Sequence, residues 1–434
     1  MSNQIQLTED QHYVPRFYIK LFSLIKQTKK KEKGFASFYR FSDGLEKRGI
    51  PIESICYKKF FYGEDCSVEH SLSQKEGVWA SVFHKLRDSQ FTSIDESDIK
   101  KLKEFATYQY ARTKAMLNHQ KYGMEKMLTT ALKNAYCKKY PSQPYTEDVS
   151  QRIESAVHNK VEAESTADLL VENCDEMVSE LDSLDICVVK FETLHKLIVS
   201  DMPVIMTNVY QTIQNGMNRI GTVLLFPASE NALILFYKKE AFPSLKRFIT
   251  VKNEKDVIAL NKYQILSAED IIISKDAETL AEAIAQDDIL KDRNDFVSRQ
   301  KVYAQAAEDG IFLAMVGTGI PFIYPLSFLT LAKELRRMPE FLRCPISASY
   351  DGAFRNQLLC QIYGELFSEQ SHEHLPMADS RKIKGHLKDL LKFLDSYWAV
   401  PREQQTITPA QMRVLKCAEI SIQPVSSESK YNSL

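Results

Sequence analysis

An α+β fold is predicted by three features of the sequence. Five runs between residues 184 and 274 (LDICVVKF, HKLIVSD, GTVLLFP, ALILFYKK and DIIIS) have strand length and β-branched content, and turns such as PASEN divide them. The stretches 67–86, 95–140 and 147–182 read as helices. The order along the chain is hairpin, helices, sheet, helices, not strand–helix alternation, so the central sheet is expected to be largely antiparallel.

The first element is a hairpin over 35–57. FASFYRF alternates, SDG supplies residues that accept positive φ, and IPIESICY reads as the return strand. In 67–86, Val78, Trp79, Val82, Phe83 and Leu86 follow a 3.6-residue period. Ser73 and Glu76 form a capping-box pattern that would start the helix later. In 95–140, Ile99, Leu102, Phe105, Ala106 and Gln109 trace one face, and Pro141 and Pro144 end the helix. The stretch 147–182 is acidic and polar on most faces.

Beyond Ser274 the pattern is again helical to about Tyr397, with a mostly polar tail from Val400. This divides the chain into an α+β domain over 1–275, a helical domain over 276–400 and a tail over 401–434. Residues 310–332 carry no charge and are long enough to span a bilayer. Pro321 and Pro325, with Gly317 and Gly319 before them, argue instead for a buried helix, a turn, and a second helix from about Ser327.

Lysine plus arginine (56) balances aspartate plus glutamate (57), so net charge gives no general attraction to nucleic acid or anionic membrane and leaves only a local basic patch open. The eight cysteines form no C-x-x-C pair, which excludes the usual zinc and disulfide patterns and fits reduced thiols in a cytoplasmic protein. The opening MSNQIQLTED has no secretory features. P-loop, H-E-x-x-H and G-x-S-x-G motifs are absent. GTG at 317–319 lacks a third glycine, and HEH at 372–374 reads as loop.

The candidate site residues start with the box QHYVPRFY, 11–18. Pro15 keeps Val14 extended. His12 is either a general acid, base or ligand, or a lock that holds the N-terminus through a backbone carbonyl. Glu69 and Glu76 stand seven apart on one helix face, so they can bind Mg²⁺ or Mn²⁺ or do acid–base work. Capping and helix-dipole roles are the alternatives. Arg112 can clamp phosphate, or pair between helices with Glu69 or Glu76. Asp201 ends a strand in IVSDMPV and is either a site acid or an acceptor of backbone N–H groups.

These segments carry a resemblance. QHYVPRFYIKLFS, ASFYRFSDG, FFYGEDCSVEHSLSQKE, YARTKA, LIVSDMPV, VLLFPASENALILFY and VIALNKYQILSAEDIIIS, in this order, resemble a widespread, mostly bacterial family of unknown function that opens with a His-Tyr-Val-Pro or His-His-Val-Pro box. The likeness covers about residues 11–274. It departs at Met202, where the family has asparagine. It implies a shared fold and a shared cluster but no reaction. Members are candidates for host-defence roles.

Together these readings lead to a metal-dependent, nuclease-like effector in which His12, Glu69, Glu76, Arg112 and Asp201 converge. Glu69 and Glu76 would hold the metal, and the partner would be nucleic acid. One alternative is a non-enzymatic sensor or scaffold recruiting protein through its C-terminal helices. The other is a membrane-acting effector working through 310–332.

Overall fold

The computed structural model describes residues 9–27, 32–163, 174–209, 221–286, 288–298, 301–307, 310–316 and 320–332. The helical region expected beyond 332, the tail and HEH lie outside the described residues.

The fold is α+β. Its centre is a six-stranded sheet in the order β11 (Phe248–Val251), β6 (Asp185–Phe191), β10 (Ala232–Tyr237), β9 (Thr222–Ser229), β8 (Ile205–Asn208) and the short strand Ile320–Pro321. The inner pairs are antiparallel, and the two outermost pairs are parallel. Helices cover both faces, which explains why VLLFPA and ALILFY are buried without alternation. Ile186, Val188, Leu224, Phe226, Ile234 and Phe236 face helices α2 (Ser67–Asp88) and α3 (Glu96–Ala111). Their neighbours Cys187, Val189, Leu225, Leu233 and Leu235 face the helix Glu254–Ser267 through Val257, Leu260 and Tyr263. Strand periodicity thus splits one apolar run between two cores.

A second sheet carries the N-terminal region. Strand β3 (Glu32–Arg40) pairs with β2 (Leu24–Gln27), β4 (Leu45–Pro51) and β12 (Ile271–Ser274), and β12 pairs with β7 (Val199–Ser200). The DIIIS run therefore joins the hairpin sheet, not the central one. The return strand begins at Leu45, directly after the turn at Gly44 (φ 67°), so IPIESICY is not that strand. Only its Ile50 and Pro51 belong to β4; Ile52–Ser54 form a 3-10 turn that leads to β5 (Tyr57–Lys59). Strand β5 pairs with β1 (Asp10–His12).

The expected helix 95–140 is two helices. Helix α3 ends at Ala111, Arg112 is its C-cap, and Thr113 caps α4 (Lys114–Lys139) by accepting the Met116 N–H. Ser73 and Glu76 lie inside α2, so the capping box does not start it. The polar stretch forms α5 (Glu147–Ala163) and helical residues 174–180. The uncharged segment does not form the expected pair of helices. Lys301–Ala307 and Gly310–Val316 form an antiparallel hairpin in place of a helix, and residues 327–332 contain no helix. Its β-branched and aromatic residues pair well along a strand, whereas the mid-segment glycines and prolines disfavour a continued helix.

Candidate functional site

The N-terminal box is bound through its backbone. Helix α1 (Arg16–Lys20) follows Pro15, and Tyr18 is fully buried, with its hydroxyl donating to the Pro227 carbonyl of the central sheet at 2.5 Å. Gln109 of α3 donates from Nε2 to the Tyr13 carbonyl at 3.1 Å. Arg112, only 3% exposed, donates from Nη2 to the His12 carbonyl at 2.6 Å, from Nε to Tyr62 Oη at 2.9 Å and from Nη1 to Glu76 Oε1 at 2.7 Å. Gln11 pins the following loop. Its Oε1 accepts the Tyr62 N–H, and its Nε2 donates to the Gly63 carbonyl and the Cys66 sulfur. That loop carries two non-glycine residues at positive φ, Phe60 and Cys66, and a third, Cys56, directly precedes β5. Backbone strain of this kind persists where the surroundings over-determine it.

The break between α3 and α4 positions Arg112. A C-cap residue leaves the helix axis, so the long side chain can reach into the space between α2 and β1. Burial opposes its charge, but Tyr62 and Glu76 outweigh burial and raise its pKa. Glu69 lies on the same face of α2 as Glu76, two turns earlier. Burial, with Glu76 adding to it, pushes its carboxyl up to about 7 against Arg112 and Arg16. Its Oε2 is buried and accepts no hydrogen bond. A buried acceptor with no donor is costly, so this atom marks a place prepared for a proton or a ligand.

The His12 ring is engaged by the segment 53–57. Its Nε2 lies 3.2 Å from the Glu53 carbonyl, and the ring packs beside Tyr57. Burial, then Arg16 and Arg112, lower its pKa to about 4, while Glu53 and Asp10 oppose, so the imidazole is neutral at pH 7. Asp201 does not join the group. Fully buried after β7, it accepts the N–H groups of Glu269, Asp270 and Ile271 at 2.9, 2.9 and 3.1 Å. It ties the end of the helix Glu254–Ser267 to β12. Burial pushes its carboxyl up to about 7 against these donors.

The structure therefore brings together Arg112, Glu76, Glu69 and the His12 backbone, and places Asp201 in a separate cluster. Two members were not singled out from the sequence. Tyr62 is one. Arg16 is the other: it is exposed, close enough to influence both His12 and Glu69, and among the described residues no side chain pairs with its guanidinium. The signal for Arg16 was its place directly after Pro15, at the first position of a helix.

No group of three or more histidine, cysteine, aspartate or glutamate side chains among the described residues is placed to hold a metal ion. Glu69 and Glu76 offer two carboxylates, one with an unanswered oxygen. This suits the magnesium mode, in which one or two carboxylates share the ion with water and substrate phosphate.

A family model for proteins of unknown function, DUF4238, matches residues 10–278. No curated protein and no solved structure matches the chain.

Proposed function

The chain belongs to the DUF4238 family of proteins of unknown function, and from that premise we propose that its family domain is a metal-dependent, nuclease-like hydrolase. The observation that carries this reading is the unpartnered, buried Oε2 of Glu69 beside Glu76, on a carboxyl held at about 7. Glu69 and Glu76 would hold Mg²⁺ or Mn²⁺, which supplies positive charge to a phosphodiester and its attacking water. Arg112 fixes the Glu76 carboxylate. Exposed Arg16 is available to a substrate phosphate. The defence setting comes from the family resemblance alone.

One observation favours the second reading, a sensor or scaffold. The three nitrogens of Arg112 are engaged with Tyr62, Glu76 and the His12 carbonyl, as in a clasp that pins the N-terminal box. For the membrane reading, residues 310–316 are a strand, and no helix among the described residues is long and apolar enough to cross a membrane.

The test combines binding with cleavage. Mn²⁺ titrated into the full chain should bind more tightly as pH rises from 6 to 8, because the ion displaces the Glu69 proton. Glu69→Gln should abolish both that binding and cleavage of RNA or DNA while the protein remains folded. A wild type that binds no Mn²⁺ and leaves every nucleic acid intact would establish the clasp reading instead.

A further inference from the structure

Helix α4 is the most basic element described. It carries Lys114, Lys121, Lys126, Lys133, Lys138 and Lys139 against the single acid Glu125, in a chain of net charge −1. Glu125 is occupied, since His158 of the adjoining helix α5 lies 2.8 Å from it. Tyr122, Lys126, Lys133 and Tyr140 are spaced by four, seven and seven residues. At 3.6 residues per turn they form one stripe, and all four are exposed.

The lysines and rings interleave. The Lys126 ammonium sits 5.3 Å from the Tyr122 ring centre, Lys139 5.3 Å from Tyr140, and Lys133 4.8 Å from Tyr145. Tyr136 lies 5.1 Å from Tyr140 and 5.8 Å from Tyr145, which makes a three-ring platform at the helix end. A protein partner with an apolar groove would want a continuous aliphatic stripe, and an anionic bilayer would want lysines flanking one. Rings alternating with ammonium groups instead match a polymer that alternates flat bases with phosphates.

We propose that this face of α4 binds single-stranded nucleic acid, with the lysines on phosphates and Tyr122, Tyr136 and Tyr140 stacking on bases. The stripe from Tyr122 to Tyr140 runs roughly 27 Å at 1.5 Å per residue, enough for a short run of nucleotides. Helix α4 begins two residues after Arg112, so the face and the carboxylate site share one stretch of chain. The identity of the polymer as a substrate rests on the nuclease-like reading; the binding does not.

The experiment is fluorescence anisotropy of the full chain with labelled 20-nucleotide oligo-dT and oligo-U at 50 and 200 mM salt. It is run beside cosedimentation with phosphatidylcholine–phosphatidylglycerol vesicles. Wild type should bind an oligonucleotide saturably. The triple variant Lys126→Gln, Lys133→Gln, Lys139→Gln should weaken binding by about tenfold or more and flatten the salt slope by about 2. Tyr122→Ala with Tyr140→Ala should weaken it about fivefold or more with the slope unchanged. These exposed positions leave the core untouched, and circular dichroism checks the fold of each variant. Preference between the two oligomers assigns DNA or RNA. No saturable binding at 50 mM salt, variants that bind like wild type, or lysine-dependent binding to vesicles alone would overturn the proposal. Oligonucleotide binding by Glu69→Gln equal to wild type, with no cleavage by either, would leave the α4 surface standing and refute the hydrolase.

Discussion

Two carboxyls in this molecule, Glu69 and Asp201, are both held at about 7 by burial, yet they are opposites. Asp201 receives three backbone N–H donors and closes the joint between a helix and β12. The Oε2 of Glu69 receives none. A raised pKa reports burial in both places. What separates a structural acid from a candidate site is the hydrogen-bond count, because a fold that has settled its own needs leaves few buried acceptors unanswered.

The contrast is broken most severely at Asp201. Asp201→Ala leaves the three part-buried N–H groups of 269–271 without their acceptor and should destabilise the protein by about 3 kcal/mol. Urea unfolding measures this, and a loss below about 0.5 kcal/mol would mean that the loop 268–271 finds other acceptors.

Glu69 should respond in the opposite direction. Its folded pKa of about 7 lies above the ordinary 4.5, so the folded state binds the extra proton and the wild type loses stability as pH climbs from 4.5 through 7. Glu69→Gln cannot ionise. With chelator present it should be more stable than wild type by about 1–2 kcal/mol at pH 8, discounted for partial exposure, and no different at pH 4. A variant destabilised equally at both pH values would place Glu69 with Asp201 as a structural acid.

The smallest effect sharpens the boundary of the site. With its pKa lowered to about 4, His12 should show a neutral imidazole by NMR down to pH 5 and charge only below that. The sign follows: the stability its neutral form contributes is present above 6.5 and is lost as pH falls toward 4. An inflection near 6.5 would show the ring facing solvent or the carboxylates instead of the Glu53 carbonyl.

Local chemistry carried much of this into the sequence. Run length and β-branched content marked the central strands, and a 3.6-residue period marked α2 and the buried face of α3, because these signals act through local geometry. Pairing of Arg112 with Glu76 was legible as an alternative, since both lie on amphipathic helices that must pack. Strand partners were not legible. Register and neighbour choice in a sheet depend on distant segments, so DIIIS went to the hairpin sheet and 310–316 became a strand. The break at Arg112 was equally hidden, because the helical pattern continues through it and only tertiary packing makes two helices of it.

By itself, then, the sequence determined the α+β class and the residue types able to carry chemistry, both of which follow from composition and near-neighbour spacing. Only the tertiary structure decided which polar groups meet. It turned the His12 ring to Glu53, assigned the N–H groups of 269–271 to Asp201, and left Glu69 Oε2 without a donor. The physical reason is range: propensity acts over a few residues, whereas desolvation and hydrogen-bond pairing of a buried group are set by whatever the folded chain brings against it.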